Sequence, residues 1–267
     1  MSDEELLQLN QEGFIPGPQE TEILFLERVK KTKEYFLAKS WIPRSHWDWA
    51  KLRVKDLFDF EPRWLPVFYS NQGLAPWEGA AAWIEGGSIQ AIQLRQGLKK
   101  GRYLGLYDRD EILAHEAVHG ARCAFEESGN EEWFAYLTSE KKWRRALGPI
   151  LRRPGEIWPF LAAAFGGICC QWAAIYWENL ELVSKICFWI ACFWIVLGFW
   201  RLIRHHQRLK QASKAALHWT GSPARARALL FRLTDREIEL FAKGTDLKEY
   251  VEKQSCLRWK LIRLAYL

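Results

Sequence analysis

The sequence has no cysteines in a C-x-x-C arrangement, although it contains six cysteines in all. That absence excludes the usual cysteine zinc site and gives no sign of a disulfide framework. Four of the cysteines lie inside apolar stretches, where they act as small hydrophobic side chains and suit a reducing compartment. An internal repeat and a low-complexity tract are also absent. The acidic opening, MSDEELLQLNQEGF, has no apolar core of the kind that a secretory signal needs.

Nucleic-acid-binding motifs are absent too, although the formal net charge is +6. The part expected to fold has no platform of basic and aromatic residues, so no nucleic-acid partner is expected. The cations concentrate instead at 141–153 and 201–214, on either side of two apolar stretches. That arrangement explains the positive charge without nucleic acid, because basic residues that flank membrane segments are retained on the cytoplasmic side.

The two apolar stretches, 158–177 and 186–200, contain no charged residue. The first has the ~20 residues that a helix needs to cross a bilayer, and the adjoining Leu182 and Val183 lengthen the second. Many of the 16 tryptophans lie near these stretches, as expected of rings at a membrane interface. We therefore expect a two-helix transmembrane hairpin at 157–203. A buried helical hairpin of a soluble domain is the alternative.

The charges around this hairpin predict its orientation. The loop between the two stretches carries Glu178, Glu181 and Lys185, a net charge of −1, whereas both outer flanks are basic. Because positive residues are retained on the cytoplasmic side, both flanks and both termini are expected in the cytoplasm. The sequence thus predicts an integral membrane protein with two transmembrane helices and the lipid bilayer as a partner.

The other segments indicate an α+β fold. A helix is expected at 21–39, within an N-terminal helical region at 1–60. Residues 64–95 break into short apolar runs separated by turn residues, and the last run, SIQAIQLR, alternates as a half-exposed edge strand does. A basic, helical C-terminal tail is expected at 204–267.

Residues 115–119 read HEAVH within a predicted helix at 108–127. His115 and His119 lie one turn apart on one face, so both imidazoles can bind one zinc ion. Glu116 lies about 100° around the helix, where it suits a general base for water and not a ligand. The opposite face is small and apolar and is expected to pack against a sheet. A pair of incidental, solvent-facing histidines is the alternative.

The ends of this helix carry recognisable signals. Asp108 with Glu111 resembles a capping box at its start, and the Ser-Gly-Asn tripeptide at 128–130 is typical of a helix end. A second helix is expected to begin near Glu131.

A third zinc ligand is needed, and the spacing leaves several candidates open. Glu126 is on the right face but two turns away, roughly 10 Å along the axis, and Cys123 drifts off the metal axis. The remaining candidates are three glutamates on or just after the second helix: Glu131, Glu132 and Glu140.

The HEAVH motif followed by EWFAY at 132–136 resembles the gluzincin pattern of zinc metallopeptidases. Its combination with transmembrane helices is similar to the integral-membrane members of that group. The resemblance implies a small zincin-like catalytic domain at 61–145, made of short strands, the HExxH helix and a glutamate helix.

The resemblance also implies roles for individual residues. Zinc (Zn2+) would be held by His115, His119 and Glu132, and Glu116 would be the catalytic base. Tyr136 stands where the family has an aspartate that supports a ligand histidine. Its hydroxyl could contact a tetrahedral intermediate instead.

Three functions remain open at this point. The first is a membrane-anchored zinc metallopeptidase that hydrolyses polypeptide substrates on the cytoplasmic side, with the strand SIQAIQLR binding extended substrate by strand addition. The second is a catalytically inactive zincin-like membrane scaffold or binding protein, and the third is a membrane-surface adaptor with incidental histidines. Retention of Glu116 favours the first, because a binding module does not need a general base.

Overall fold

The structure is a computed structural model, and it describes residues 1–37, 42, 44–62, 64–76, 78–105, 107–125, 127, 129–150 and 154–267. Glu126 and Ser128 lie outside the described residues, as do residues 38–39 of the predicted first helix and 151–153 of the basic segment. In its described part the protein is mostly helical with a small sheet, which fits an α+β fold in outline.

The chain begins with helices whose ends are marked by local signals. The hydroxyl of Ser2 accepts a hydrogen bond from the Glu5 amide at 3.1 Å, and acidic residues fill the first turn that follows. At the end of the third helix, Asp59 adopts the left-handed conformation typical of a helix stop. These helices are α1 (Asp3–Gln11), α2 (Glu22–Leu37) and α3 (Asp48–Phe58).

Two small sheets follow in the described residues. β3 lies at the centre of the larger sheet, where it runs parallel to β1 and antiparallel to β2, while β4 pairs with β5. The strands are β1 (Val67–Tyr69), β2 (Ala80–Glu85), β3 (Ser88–Leu94), β4 (Arg102–Tyr103) and β5 (Tyr107–Asp108).

The strand predicted from SIQAIQLR is present, but its central position shows that the prediction of a half-exposed edge was wrong. Its glutamines suggested a solvent face, but Gln93 is buried. The side-chain amide of Gln93 donates to the carbonyl oxygens of Ser70 at 3.1 Å and Gln72 at 2.8 Å. A buried amide with such partners is compatible with a central strand, and β2 forms an edge of the sheet instead.

The helices after the sheets carry the candidate site, the apolar stretches and the C-terminal region. The helix predicted at 108–127 begins as expected but ends early, and the second helix begins at Glu131 as predicted. These helices are α4 (Arg109–Arg122), α5 (Glu131–Leu137), α6 (Lys142–Leu147), α7 (Trp158–Ala173), α8 (Asn179–Thr220), α9 (Pro223–Phe231), α10 (Asp235–Ala242), α11 (Leu247–Glu252) and α12 (Leu257–Tyr266).

The small apolar face of α4 packs on the sheet, which confirms the prediction. Leu113 and Ala117 on this face are fully buried. A Cβ added at Gly120 would lie 3.0 Å from side-chain atoms of both Ile89 and Leu65. Helix and strand approach this closely because the position has no side chain.

One hydrophobic core joins the N-terminal helices, the larger sheet, the site helices and the C-terminal helices. Phe58 of α3 stacks on Phe231 of α9 with ring centroids 4.4 Å apart, and Phe134 of α5 meets both rings edge-on. The buried guanidinium of Arg232 donates to the carbonyl oxygen of Phe58 at 2.8 Å. The segment 204–267, predicted as a tail, therefore packs into the same core as the chain before the apolar stretches.

The apolar stretches form an antiparallel pair of helices, α7 and α8. Ser184 of α8 donates to the carbonyl oxygen of Gly167 at 3.0 Å near the tip, and Arg201 pairs with Glu156 at 2.7 Å near the base. Large apolar side chains on the outer surface are exposed, among them Phe165 at 70%.

In the described residues, α8 is the one helix long and apolar enough to cross a membrane. Of its most apolar 18-residue segment, 11% is buried. So little burial does not suit the alternative of a buried hairpin in a soluble domain. The helix α7 has 16 residues, fewer than the roughly 20 that a span needs. The expectation of two spans is therefore not supported by the helix lengths.

Candidate metal centre

The start of α4 differs from the predicted capping box. Asp108 caps the helix by accepting a hydrogen bond from the Asp110 amide at 3.0 Å. Glu111 does not reach back to the cap, because its buried carboxylate faces the segment after α5. There it accepts hydrogen bonds from the Glu140 amide at 2.9 Å and from the Arg144 guanidinium at 2.7 Å. This contact holds α6 against the helix that carries the histidines.

The end of α4 comes earlier than its sequence signal predicts. The helix stops at Arg122, and a short 3-10 turn continues to Phe125. Arg122 is fully buried, and its guanidinium donates to the backbone carbonyl oxygens of Phe231 and Leu233. A tertiary contact thus overrides the local signal at 128–130. The early end shortens α4 enough for α5 to fold back beside the histidines.

Three predicted ligands converge between α4 and α5. The two Nε2 atoms of His115 and His119 are 3.3 Å apart. The carboxylate of Glu132 lies 3.7 Å from Nε2 of His115 and 3.6 Å from Nε2 of His119. Within the described part of the chain, these residues form the group of side chains whose donor atoms could hold a metal ion.

The spacing of these atoms can be compared with that of a tetrahedral zinc site. Zinc binds imidazole nitrogen and carboxylate oxygen at about 2.0–2.2 Å. In a tetrahedron of that size the ligand atoms are about 3.3–3.6 Å apart. The Nε2–Nε2 distance of 3.3 Å lies in that range. The distances of 3.6 and 3.7 Å run to different oxygens of Glu132, so the carboxylate would have to turn to bring one oxygen toward both histidines.

Glu131, an alternative third ligand, has a different position. Its carboxylate lies 2.5 Å from Nδ1 of His119, the nitrogen opposite the one that faces Glu132. A carboxylate on the second nitrogen orients a ligand histidine and fixes its tautomer. Glu131 is therefore placed to support His119 if that histidine binds a metal, the task that an aspartate at the position of Tyr136 has in the family that the motif resembles. Its place in the first turn of α5 was a signal for this role, which the sequence reasoning missed.

The other alternative ligands lie away from the group. Cys123 is buried at the end of α4, where its neighbours include Ile89 and Arg28. Glu140 is exposed beyond α5, and its backbone amide faces Glu111.

Tyr136 lies beside the first histidine. Its ring meets the His115 ring edge-on with centroids 4.9 Å apart. A Cβ added at Gly148 would clash with the Tyr136 ring, so the turn after α6 encloses the tyrosine closely. Burial, followed by the charge of Glu132, raises the pKa of Tyr136, so its hydroxyl remains protonated near neutral pH.

The two histidines have opposite protonation tendencies in the metal-free protein. Burial, followed by the charges of His119 and Arg144, lowers the pKa of His115 well below its usual value. Burial also lowers the pKa of His119, but the hydrogen bond with Glu131 and the neighbouring carboxylates outweigh it and raise that pKa to about 9. His115 is thus neutral near pH 7, whereas His119 holds a proton that a metal ion would displace.

Glu116 is half-buried beside the group. Burial raises the pKa of Glu116 to about 7; the charge of His119 opposes this shift and that of Glu132 adds to it. A carboxyl group with this pKa can both accept and return a proton near neutral pH.

A cavity of 350 Å³ opens near the N-terminal end of α4. Glu111, one turn before His115, contributes to its wall. Its lining mixes aromatic and charged side chains, including Trp49, Arg102, Tyr107, Asp108, Glu140 and Lys141.

Comparisons of the chain with models of protein families, with curated proteins and with solved structures find no match. The function is therefore proposed from the geometry of the metal centre and from the packing around it.

Proposed function

We propose that the protein is a membrane-anchored, zinc-dependent metallopeptidase that hydrolyses polypeptide substrates on the cytoplasmic side. The observation that carries the proposal is the convergence of His115, His119 and Glu132, with donor atoms 3.3–3.7 Å apart. Catalytic zinc sites commonly use three protein ligands of these types and keep one position open for water or substrate.

The residues around the ligands suit hydrolysis. Bound zinc would supply a Lewis acid that polarises a carbonyl group and lowers the pKa of water. Glu116 would accept a proton from the attacking water and return it to the leaving amine. Glu131 would hold the His119 ring through Nδ1. The protonated Tyr136 hydroxyl would donate a hydrogen bond to the substrate oxygen as negative charge develops there.

An extended polypeptide is the substrate that the surroundings favour. Because β3 is central, it has no free edge for strand addition. We therefore assign that role to β2, which lies at an edge of the sheet. Along this edge strand Trp83 and Ile84 are exposed, and an edge can pair with an extended chain through main-chain hydrogen bonds.

The membrane arrangement is supported by the shared core. Residues before α7 and after α8 pack together, as Phe58 does with Phe231. This packing favours both ends of the hairpin on one side of any membrane that it enters. A single crossing would separate them, so we propose that α7 and α8 enter the bilayer together. Basic flanks favour the cytoplasm for both termini.

A topology experiment tests this arrangement. In a variant without the native cysteines, a cysteine placed at Asn179 should react with an impermeant reagent from outside intact cells. A reporter fused after Leu267 should be cytoplasmic. Labelling at Asn179 only after the membrane is opened would contradict the two-span arrangement, and an external reporter would contradict its orientation.

Metal analysis and proteolysis test the catalytic proposal. The full chain, purified in detergent, should contain near one zinc per molecule and cleave a mixture of unstructured peptides. Glu116→Gln should bind the same amount of zinc but lose hydrolysis, because Glu116 transfers protons and is not a ligand. Zinc bound by a wild-type protein that cleaves no peptide would favour the inactive zincin-like scaffold. Zinc lost in Glu116→Gln would contradict the assigned role.

A further inference from the structure

The start of α5 is capped by a residue from a distant part of the chain. Its own N-cap residue, Asn130, makes no side-chain capping bond. The carboxylate of Asp235, the first residue of α10, accepts hydrogen bonds from the Gly129 amide at 2.8 Å and the Asn130 amide at 3.0 Å. It also accepts one from the Asn130 side chain at 2.6 Å. The carboxylate thus satisfies the two backbone donors that come directly before the first residue of α5.

Two further hydrogen bonds hold the beginning of the loop between α4 and α5. The Asp235 amide donates to the Glu127 carboxylate at 2.7 Å. Arg122, the last residue of α4, donates to the Leu233 carbonyl oxygen at 3.2 Å. The loop between the two site helices is thus held at both ends by the segment 231–235.

The fit between this loop and Asp235 leaves no room for a larger residue. A Cβ added at Gly129 would lie 2.1 Å from a carboxylate oxygen of Asp235. No real Cβ makes such a contact, so the carboxylate or the loop would have to move. The glycine therefore permits the close approach of α10 to the start of α5.

The two glutamates of the metal centre follow the capped amides directly. Glu131 faces Nδ1 of His119 at 2.5 Å, and Glu132 faces Nε2 of both histidines. Because a side chain moves with its backbone, a shift at 129–130 displaces both carboxylates. Metal sites tolerate only a few tenths of an ångström in ligand distance.

We infer that Asp235 is a positioning residue for the metal centre: through the Gly129 and Asn130 amides it fixes the start of α5 and so places Glu131 and Glu132 against the histidines. This inference rests on the proposed function. It makes α10, which packs on the membrane-spanning candidate α8, an integral part of the site.

Substitutions at two aspartates test this role. Asp235→Ala removes the distant cap, and Asp235→Asn keeps one acceptor oxygen. Asp246→Ala is the matched control, because Asp246 caps its own helix α11 through the Lys248 amide at 2.7 Å, and its hydrogen bond within the described residues stays inside that helix. Zinc affinity is measured by competition with a chelator, and thermal unfolding and amide exchange are measured on the metal-free full chain.

Asp235→Ala should weaken zinc binding by about 10-fold, the lower end of the effect of losing a group that contacts a ligand directly, because Asp235 acts through the backbone before Glu131. The zinc affinity of Asp235→Asn should lie between those of Asp235→Ala and the wild type. The zinc affinity of Asp246→Ala should be within twofold of the wild-type value. Unchanged zinc affinity in a folded Asp235 variant would overturn the inference. An equal loss in Asp246→Ala would also overturn it, because the effect would then be one of general stability.

Amide exchange separates a failure of this inference from a failure of the proposed function. If the wild-type protein binds no zinc, the proposed function fails. The clamp, meaning the hydrogen bonds from Gly129 and Asn130 to Asp235, can still be tested. Asp235→Ala should then speed exchange within 129–137 while α11 and α12 keep wild-type rates. Unchanged exchange in 129–137, or faster exchange throughout the chain, would contradict the positioning role.

Discussion

Two buried polar clusters lie in one core and differ in how their charges are satisfied. In the C-terminal cluster, the Glu237 carboxylate accepts hydrogen bonds from both terminal nitrogens of Arg258, from the Trp259 indole and from the Thr234 amide, each at 2.8 Å. In the metal centre, the Nε2 atoms of His115 and His119 face each other and the Glu132 carboxylate at 3.3–3.7 Å.

The pKa values follow this difference. Burial favours a raised pKa for Glu237, but the hydrogen bonds and charge of Arg258 outweigh it and lower that pKa. Burial raises the pKa of Glu132 instead, because its neighbours stabilise the carboxylate less. A cluster with its donors already in place stabilises the fold. A cluster of imidazole nitrogens and a carboxylate around a common point could hold a metal ion once the proton on His119 is displaced.

The largest expected effect is the loss of zinc when a proposed ligand is removed, which no change in the C-terminal cluster should cause. His119→Ala should remove both zinc and peptide hydrolysis, because it deletes a metal ligand. The loss of affinity should exceed the about 100-fold that removal of an outer partner can cause. Zinc content per chain is measured by elemental analysis, with Glu237→Gln as the control that should keep its zinc. Wild-type zinc content in His119→Ala would mean that the metal binds elsewhere.

Substitution in the C-terminal cluster should have the opposite outcome. Glu237→Gln should lower the free energy of unfolding by about 3 kcal/mol, because it leaves the buried Arg258 guanidinium without its counter-charge. The folded variant should still contain zinc, because the three proposed ligands are unchanged, with at most a smaller loss of affinity passed on through Asp235 in the same turn of α10. Unfolding by denaturant measures the stability difference. A Glu237→Gln protein as stable as the wild type would show that the ion pair contributes nothing net.

The pH dependence of stability sharpens this contrast. Because the folded-state pKa of Glu237 is lowered, its contribution is fully present above the unfolded pKa of 4.5. It is lost as the pH falls through the folded-state pKa. The stability difference between wild type and Glu237→Gln should therefore be constant near neutral pH and shrink below about pH 4.5. A difference that does not change with acidification would contradict the lowered pKa.

A smaller effect is expected from the outer partner of the metal centre. Glu131→Gln should weaken zinc binding by about 10–100-fold, because the amide holds the His119 ring less firmly than the carboxylate does. Glu132→Ala should weaken it more, because this change removes a ligand. Chelator competition ranks the two variants. The reverse ranking would exchange the roles assigned to the two glutamates.

The sequence predicted those parts of the candidate site whose positions depend on helical periodicity. His115, His119 and Glu116 are placed by one helix, so their relation follows from spacing alone. The role of Glu132 followed from a motif, and the structure brings it to the histidines because α4 ends early. That early end depends on Arg122 and its contact with Phe231, 109 residues away. Local patterns contain no information on such a contact.

The same limit explains the other differences. The alternating glutamines of β3 indicated a solvent face. The carbonyl oxygens that accept from the Gln93 amide lie 21 to 23 residues earlier in the chain, so the local pattern does not reveal them. The clamp by Asp235 on Asn130 spans 105 residues. In each case a long-range partner satisfies a polar group that looks exposed or unpaired when the sequence is read locally.

The smallest expected effect concerns Glu140, which the sequence left open as a third ligand. Its side chain is exposed, and its contacts run through the backbone, with the amide donating to Glu111 at 2.9 Å and the carbonyl oxygen accepting from Arg145 at 2.9 Å. Glu140→Ala keeps both bonds. Stability should therefore change by less than about 0.5 kcal/mol, and zinc affinity should match the wild type. Zinc titration beside Glu132→Ala measures this, and an equal loss in both variants would move the third ligand to Glu140.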